Sequence, residues 1–279
     1  MKTIKFEDMS WSEVAEVLKE PNAMILPVGS IEQHGPHLPL NVDFRITEHI
    51  AWQAARRVTD ENKIHVLVAP AVRYAEVLSG SSRTFPGTTG VRFDTFMSVI
   101  GDIIWSFVNQ GFKNIIVLNG HLPNRDPIAA ALRRIGSDLR TASIPNIGLY
   151  AINWWEMGSD VISHVRKSEA GLHADEIETS ICLVIQPENV HLDKALKWFP
   201  SYSLSRRWVG SCDLVRDVVP SVFYHSRAKM PKGPGDPVEA QGIMGDPTVA
   251  TKETGEKIVS AVVDDLTKVI VEIVESEGK

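Results

Sequence analysis

Short apolar runs alternate along this chain with stretches whose apolar residues recur at helical spacing. Ala23 to Val28, Ile64 to Pro70, Asn114 to Leu118 and Ile147 to Ile152 read as buried strands. Between them, Phe44 to Val58, Phe93 to Phe107 and Asn124 to Leu139 read as amphipathic helices. The strongest stripe is Phe93, Phe96, Met97, Ile100, Ile104 and Phe107. Strand and helix in strict turn predict an α/β fold whose parallel sheet is covered on both faces. Further on, Gly171 to about Ile185 reads as helix. A last helix runs from about Val249 to Val274 on a seam of Ile258, Val262, Leu266 and Ile270. From Phe199 to Pro247 the pattern breaks up, and Lys229 to Asp236 is a loop by composition. No repeat, low-complexity tract or compositional break marks a linker, so residues 1–279 are expected to form a single domain.

Length agrees with that picture. A chain of 279 residues buries nearly three quarters of its unfolded surface, enough for a core without staples. The balance of 29 Lys+Arg against 35 Asp+Glu gives −6, which argues against a nucleic-acid groove. No stretch approaches the ~20 apolar residues of a membrane helix, and Met1-Lys2-Thr3 leads into an acidic helix rather than a signal segment. Cys182 and Cys212 cannot form a disulfide framework or a four-cysteine zinc knot. A cytoplasmic protein is expected, and nine histidines, several beside carboxylates, make its chemistry the question.

Three segments carry that chemistry. The first begins where the first strand ends, at Gly29-Ser30, and holds Glu32, His34, His37 and Asp43. Loops at the carboxyl ends of parallel strands form the ligand crevice. Glu32 and His34, two residues apart, leave an extended backbone on the same side. Two carboxylates and an imidazole make the mixed oxygen and nitrogen set that zinc or manganese accepts. Asp43 read alone is equally an N-cap, and His34 or His37 an ordinary loop histidine. The second segment is Val117-Leu-Asn-Gly-His121, another strand end, where Gly120 is expected to let the backbone turn sharply and aim the ring of His121. The third is Gly171 to Ser180. There Ala174, Ile177, Glu178, Ile181, Cys182 and Ile185 share one helical face, and Glu178 is its sole charge. A carboxylate in a buried stripe needs a cation or several donors. Asp175 and Glu176 lie off the stripe, where acids suit the helix dipole. His173, just ahead of it, is either an acid–base group facing the crevice or a helix-start histidine touching water. Three acids and three histidines from separate segments could form a two-metal site.

The same residues resemble a known family. Gly29-Ser-Ile-Glu-Gln-His-Gly-Pro-His-Leu-Pro39 with the later Asp43, Phe85-Pro-Gly-Thr-Thr89, Asn119-Gly-His121, the 173–180 segment and Gly242-Ile-Met-Gly-Asp-Pro247 are similar to creatininase (creatinine amidohydrolase) motifs. The likeness runs from about residue 20 to 265. It implies a three-layer α/β/α sandwich with a mostly parallel sheet. It also implies a hydrolase with two divalent ions per subunit, Zn and/or Mn, often assembled as a homo-hexamer. By motif position, Glu32 and His121 hold one ion, His34 and Glu178 the other, and Asp43 bridges them. His173 falls at the catalytic histidine, and Trp155 near a substrate-stacking tryptophan, its alternative being an ordinary buried aromatic. Creatininase itself carries a metal-binding glutamate two residues after the Asn-Gly-His histidine, and many relatives have Gly-Gly there. This chain has Leu122-Pro123, which implies one protein ligand fewer and a pocket wall of different shape.

The leading expectation is a metal-dependent hydrolase that cleaves a small, polar, cyclic amide. Family members also deformylate formamidopyrimidines, trim a peptide precursor of a redox cofactor, or hydrolyse ring diketones derived from inositol. Hydrolytic C–C opening of an oxidised cyclitol of the 3-dehydro-scyllo-inosose type is therefore the alternative. A non-catalytic metal-containing binding protein is disfavoured by retention of all five ligand positions. A nucleotide-binding domain is excluded, because Glu32 sits in the turn where phosphate would be repelled.

Overall fold

The computed structural model describes residues 2–77, 85–169, 171–199 and 242–276. Its centre is a four-stranded parallel sheet of β1 (Asn22–Val28), β2 (His65–Val68), β3 (Asn114–Asn119) and β4 (Gly148–Asn153), in the order β2-β1-β3-β4. Successive side chains of a strand point to opposite faces, so a sheet covered on both sides needs apolar residues at every position. β1 meets this requirement. Ala23 and Ile25 enter one buried cluster, while Met24, Leu26 and Val28 enter the other. β3 divides likewise, Ile116 and Leu118 against Ile115 and Val117.

The first cluster packs under α2 (Val42–Glu61), α5 (Ser159–Val165), α6 (Glu176–Ile185) and α7 (Lys252–Glu275). The second lies under α1 (Trp11–Val17), α3 (Phe93–Gln110) and α4 (Arg125–Thr141). The expected α/β/α sandwich is thus observed. At the β2 edge the N-terminal segment pairs with Val68, whose N–H donates to Ile4 O at 2.8 Å. No helix among the described residues is long and apolar enough to cross a membrane.

Every strand and helix read from periodicity between residues 22 and 153 is present within a few residues. On α3, Phe96, Ile100, Ile104 and Phe107 are buried as the stripe predicts. Phe93 at its first position is 44% exposed. The seam of α7 is buried throughout. The helix expected from Gly171 begins only at Glu176. Asp175 caps it by accepting from Ile177 N at 2.9 Å and Glu178 N at 3.0 Å, and Ala174 takes a left-handed φ of 50°. Leu172 and His173 pair instead with Met244, a contact that local periodicity cannot anticipate. Beside it, Trp198 and Gly245 form an antiparallel bridge with N–H···O distances of 3.0 and 2.7 Å. The short α5 carries no legible stripe. The segments 79–83 and 229–236, and 199–224 apart from Phe199, lie outside the described residues.

α6 and α7 pack closely where Gly255 meets α6. A Cβ at Gly255 would run into the backbone carbonyl of Ser180, whereas one at Gly101 on α3 meets nothing within 4 Å. Gly255→Ala should therefore destabilise the protein by about 1–3 kcal/mol. Gly101→Ala should stabilise it by about 0.5–1 kcal/mol. Urea-unfolding midpoints measure both, and the two shifts should have opposite signs.

Candidate metal centre

In a sheet of order 2-1-3-4 the strand connections diverge between β1 and β3, and a crevice opens outside their carboxyl ends. The chemistry collects there. β1 leads into the loop carrying Ser30, Glu32 and His34, and β3 into His121. α2 presents Asp43 in its first turn, where the positive end of the helix dipole favours a carboxylate. The N-cap of α2 is Asn41, so Asp43 is not a capping residue. Gly120 does not take a left-handed φ. Its lack of a side chain serves close approach instead, since a Cβ there would sit 2.6 Å from Asp43 O.

Asp43 is buried and divides its oxygens. Oδ1 lies 3.1 Å from His34 Nε2, while Oδ2 lies 2.9 Å from His121 Nδ1 and accepts from Ser30 Oγ at 2.6 Å. Glu32 Oε2 is 3.1 Å from His121 Nδ1, and Glu178 Oε2 is 3.7 Å from His34 Nε2. Two triads result, Glu32-Asp43-His121 and His34-Asp43-Glu178, sharing Asp43. These separations surround the roughly 3.3 Å edge of a tetrahedron with bonds of about 2.0 Å to zinc. A third group, Glu32-His34-His173, borders both.

The outer nitrogens of the two rings bind backbone carbonyls. His34 Nδ1 is 3.0 Å from Glu32 O, and His121 Nε2 is 2.9 Å from Glu76 O. Because a carbonyl only accepts, each of these nitrogens carries the proton, and a neutral ring then turns its lone pair toward the carboxylates. Glu32 Oε2 is buried and receives no directed hydrogen bond. Lone pairs aimed at carboxylate oxygens in a buried site form a donor set suited to a cation, whether a metal ion or a proton. Burial alone would lower His34, yet Asp43 and Glu178 outweigh it and raise the ring to about 10. His121 is raised in the same way, burial opposing and Glu32 prevailing. Burial pushes Glu178 up to about 8 against the pull of His34. Glu32, despite its burial, is held down to about 2 by His121.

His173 is partly exposed beside this cluster. Its ring is 4.3 Å from that of His34, and its Nε2 lies 2.8 Å from Gln33 O and 2.9 Å from Gln33 Nε2. Burial, then the neighbouring His34, lowers it to about 4. His37 is fully buried against Thr179 Oγ1 at 3.0 Å, set back from the triads. Trp155 stands on the turn after β4, half-buried and edge-to-face with Trp154 at 6.0 Å. That turn is tied to the His121 loop, because Asn119 Nδ2 donates to Asn153 Oδ1 at 2.9 Å. Asp175 and Glu176 prove structural. The first caps α6, and the second accepts from Lys167 N and Ser168 N. Sequence reasoning missed Ser30, Gln33, Asn119 and Asn124, which act through hydrogen bonds to loops and leave no periodic trace.

A parallel α/β/α fold that gathers two linked imidazole–carboxylate triads at its switch point defines a metal-dependent hydrolase. The creatininase family, described as creatinine amidohydrolase, matches residues 7–270, and the chain belongs to that family. It is 26% identical over 283 residues to a creatinine amidohydrolase of Pseudomonas putida, covering 96% of each chain. To a 3-dehydro-scyllo-inosose hydrolase of Thermotoga maritima it is 28% identical over 282 residues, covering 98% of this chain and 84% of that one. A manganese creatininase structure superposes with a TM-score of 0.77 at 26% identity, over 97% of this chain and 98% of the other. A Zn–Zn creatininase variant gives 0.76 at 26%, over 98% of both.

Asp175→Ala removes an N-cap, so it should cost about 0.5–2 kcal/mol of stability. Chemical denaturation measures this, and Asp175→Asn should recover most of the loss.

Proposed function

We propose that Glu32, His121 and one oxygen of Asp43 hold one divalent ion, that His34, Glu178 and the other oxygen of Asp43 hold a second, and that the protein hydrolyses a small polar cyclic amide. The observation that carries this reading is Asp43, whose two oxygens face two different imidazoles. Zinc and manganese both suit such donors. Ions bound there supply Lewis-acid polarisation of a carbonyl and lower the pKa of water to near neutrality.

The chain's own side chains do the rest. His173, neutral at pH 7, has one nitrogen able to accept a proton and one able to give it, as transfer to a leaving nitrogen requires. Gln33 holds it in place through the contacts at His173 Nε2. Trp155 offers a flat face to a ring at the same sheet edge. Pro123 has no donor where creatininase itself has a ligating glutamate, which supports a substrate other than creatinine. Opening of a C–C bond in an oxidised cyclitol is the second reading. It is favoured by the likeness to the Thermotoga enzyme and uses the same groups. We further read residues 1–279 as one cytoplasmic domain that assembles with its own copies. The free, buried Cys182 suits a reducing compartment.

Asp43→Ala should release both ions and abolish turnover, while Asp175→Ala keeps metal and substantial activity. Glu178→Gln should lower the metal-to-protein ratio. His173→Ala should retain metal and cut the rate by ~10²–10⁴-fold. Elemental analysis beside steady-state assays decides these points, and metal loss in the His173 variant would make that residue a ligand. Adding Zn²⁺ to metal-free protein at pH 7 should release protons, because His34, His121 and Glu178 are all shifted upward. A screen of metal-loaded enzyme against cyclic amides, formamides and cyclic diketo-polyols, with product masses, separates the two substrate readings. Ring opening of a cyclic amide or a cyclic diketone adds one water to a single product and a formamide splits off formate, but only the amides expose a new amine.

A further inference from the structure

Asn124 is completely buried at the end of the 3-10 turn Leu122–Asn124 that follows His121, and its own N–H donates to His121 O at 3.0 Å. Its side-chain amide joins two other loops. Nδ2 donates to Gly29 O at 3.1 Å, and Oδ1 accepts from Glu76 N at 3.2 Å. The segments following β1, β2 and β3 therefore meet at one carboxamide. Both contacts lead to the same half of the centre. Glu76 O is the acceptor that directs His121 Nε2, so the grip on Glu76 N–H fixes which way His121 Nδ1 points. Gly29 precedes Ser30, whose hydroxyl donates to Asp43 Oδ2, the oxygen facing His121. Although Asp43 is shared, the other half takes its direction from groups that Asn124 does not touch. His34 is directed by Glu32 O, and Glu178 by Ala174 N at 2.6 Å.

We propose that Asn124 is a positioning residue dedicated to the His121 half of the metal centre, so that it sets the affinity of one of the two ions and leaves the other alone. The inference rests on the two-ion reading above. Outer partners of this kind act on metal affinity by fixing ring tautomer and direction, typically by 10–100-fold. A purely structural residue of equal burial would lower stability without distinguishing the ions.

The test is a calorimetric titration of metal-free protein with Zn²⁺, read beside thermal unfolding, for the parent chain, Asn124→Ala, Asn124→Asp and His121→Ala. The parent should bind two ions, and His121→Ala should lose one. Asn124→Ala should weaken that same ion about 10–100-fold and leave the second within about twofold. Asn124→Asp keeps an acceptor for Glu76 N–H but loses the donor to Gly29 O, so it should weaken one ion by less. Should Asn124→Ala fail to fold, Asn124→Asp decides alone, a selective weakening supporting the role. Two ions bound as in the parent, or both weakened equally, would overturn it whatever the loss of thermal stability. A parent chain that binds fewer than two ions would instead sink the two-ion reading, which keeps the two failures distinct.

Discussion

Three carboxylates, Glu32, Asp43 and Glu178, are packed against two imidazoles whose outer nitrogens are already committed to backbone carbonyls. No arrangement of neutral side chains satisfies that set. Like charges a few ångströms apart in a poorly polarisable interior cost several kcal/mol each unless countercharge enters among them. Protons supply it in the bare chain, which is why the rings are pulled up while Glu32 and Asp43 are held down. Two divalent ions held by the same groups would supply it instead. Much of the local architecture exists to hold this frustrated cluster in register.

The sheet makes the cluster possible. Between their terminal asparagines (Asn22, Asn114 and Asn119) the two central strands are apolar, so donors appear where strands end. The switch point between β1 and β3 then brings two such ends together. Gly29 and Gly120, both without room for a side chain, let the first turn of α2 descend between them. A helix dipole, two strand ends and a distant helix each contribute one element, and no segment could form the site alone.

How much of this can be read from the letters follows from the range of each interaction. The strands, α2, α3, α4 and the seam of α7 are local patterns and were legible. Glu178 was legible too, because one charge in an apolar stripe is a local anomaly. The start of α6 was not, because the pairing of Leu172 and His173 with Met244 overrides helical spacing at 171–175. The reason for Gly120 was misread for the same cause. Its neighbour is the backbone of α2, more than seventy residues earlier, and nothing in the turn itself reveals that. Ser30 binds Asp43 at the start of α2, while Gln33 and Asn124 each join separate loops through more than one hydrogen bond, so their roles exist only once those segments have met.

The bridge between Trp198 and Gly245 bears on how such a scaffold can diversify. It joins two points far apart in the sequence, immediately beside the His173–Met244 pairing. Closing a longer chain segment between two fixed points costs little, about 0.6 kcal/mol for each doubling of length. A change in chain length between the two paired positions is therefore cheap to accommodate, provided that the pairing beside His173 is kept.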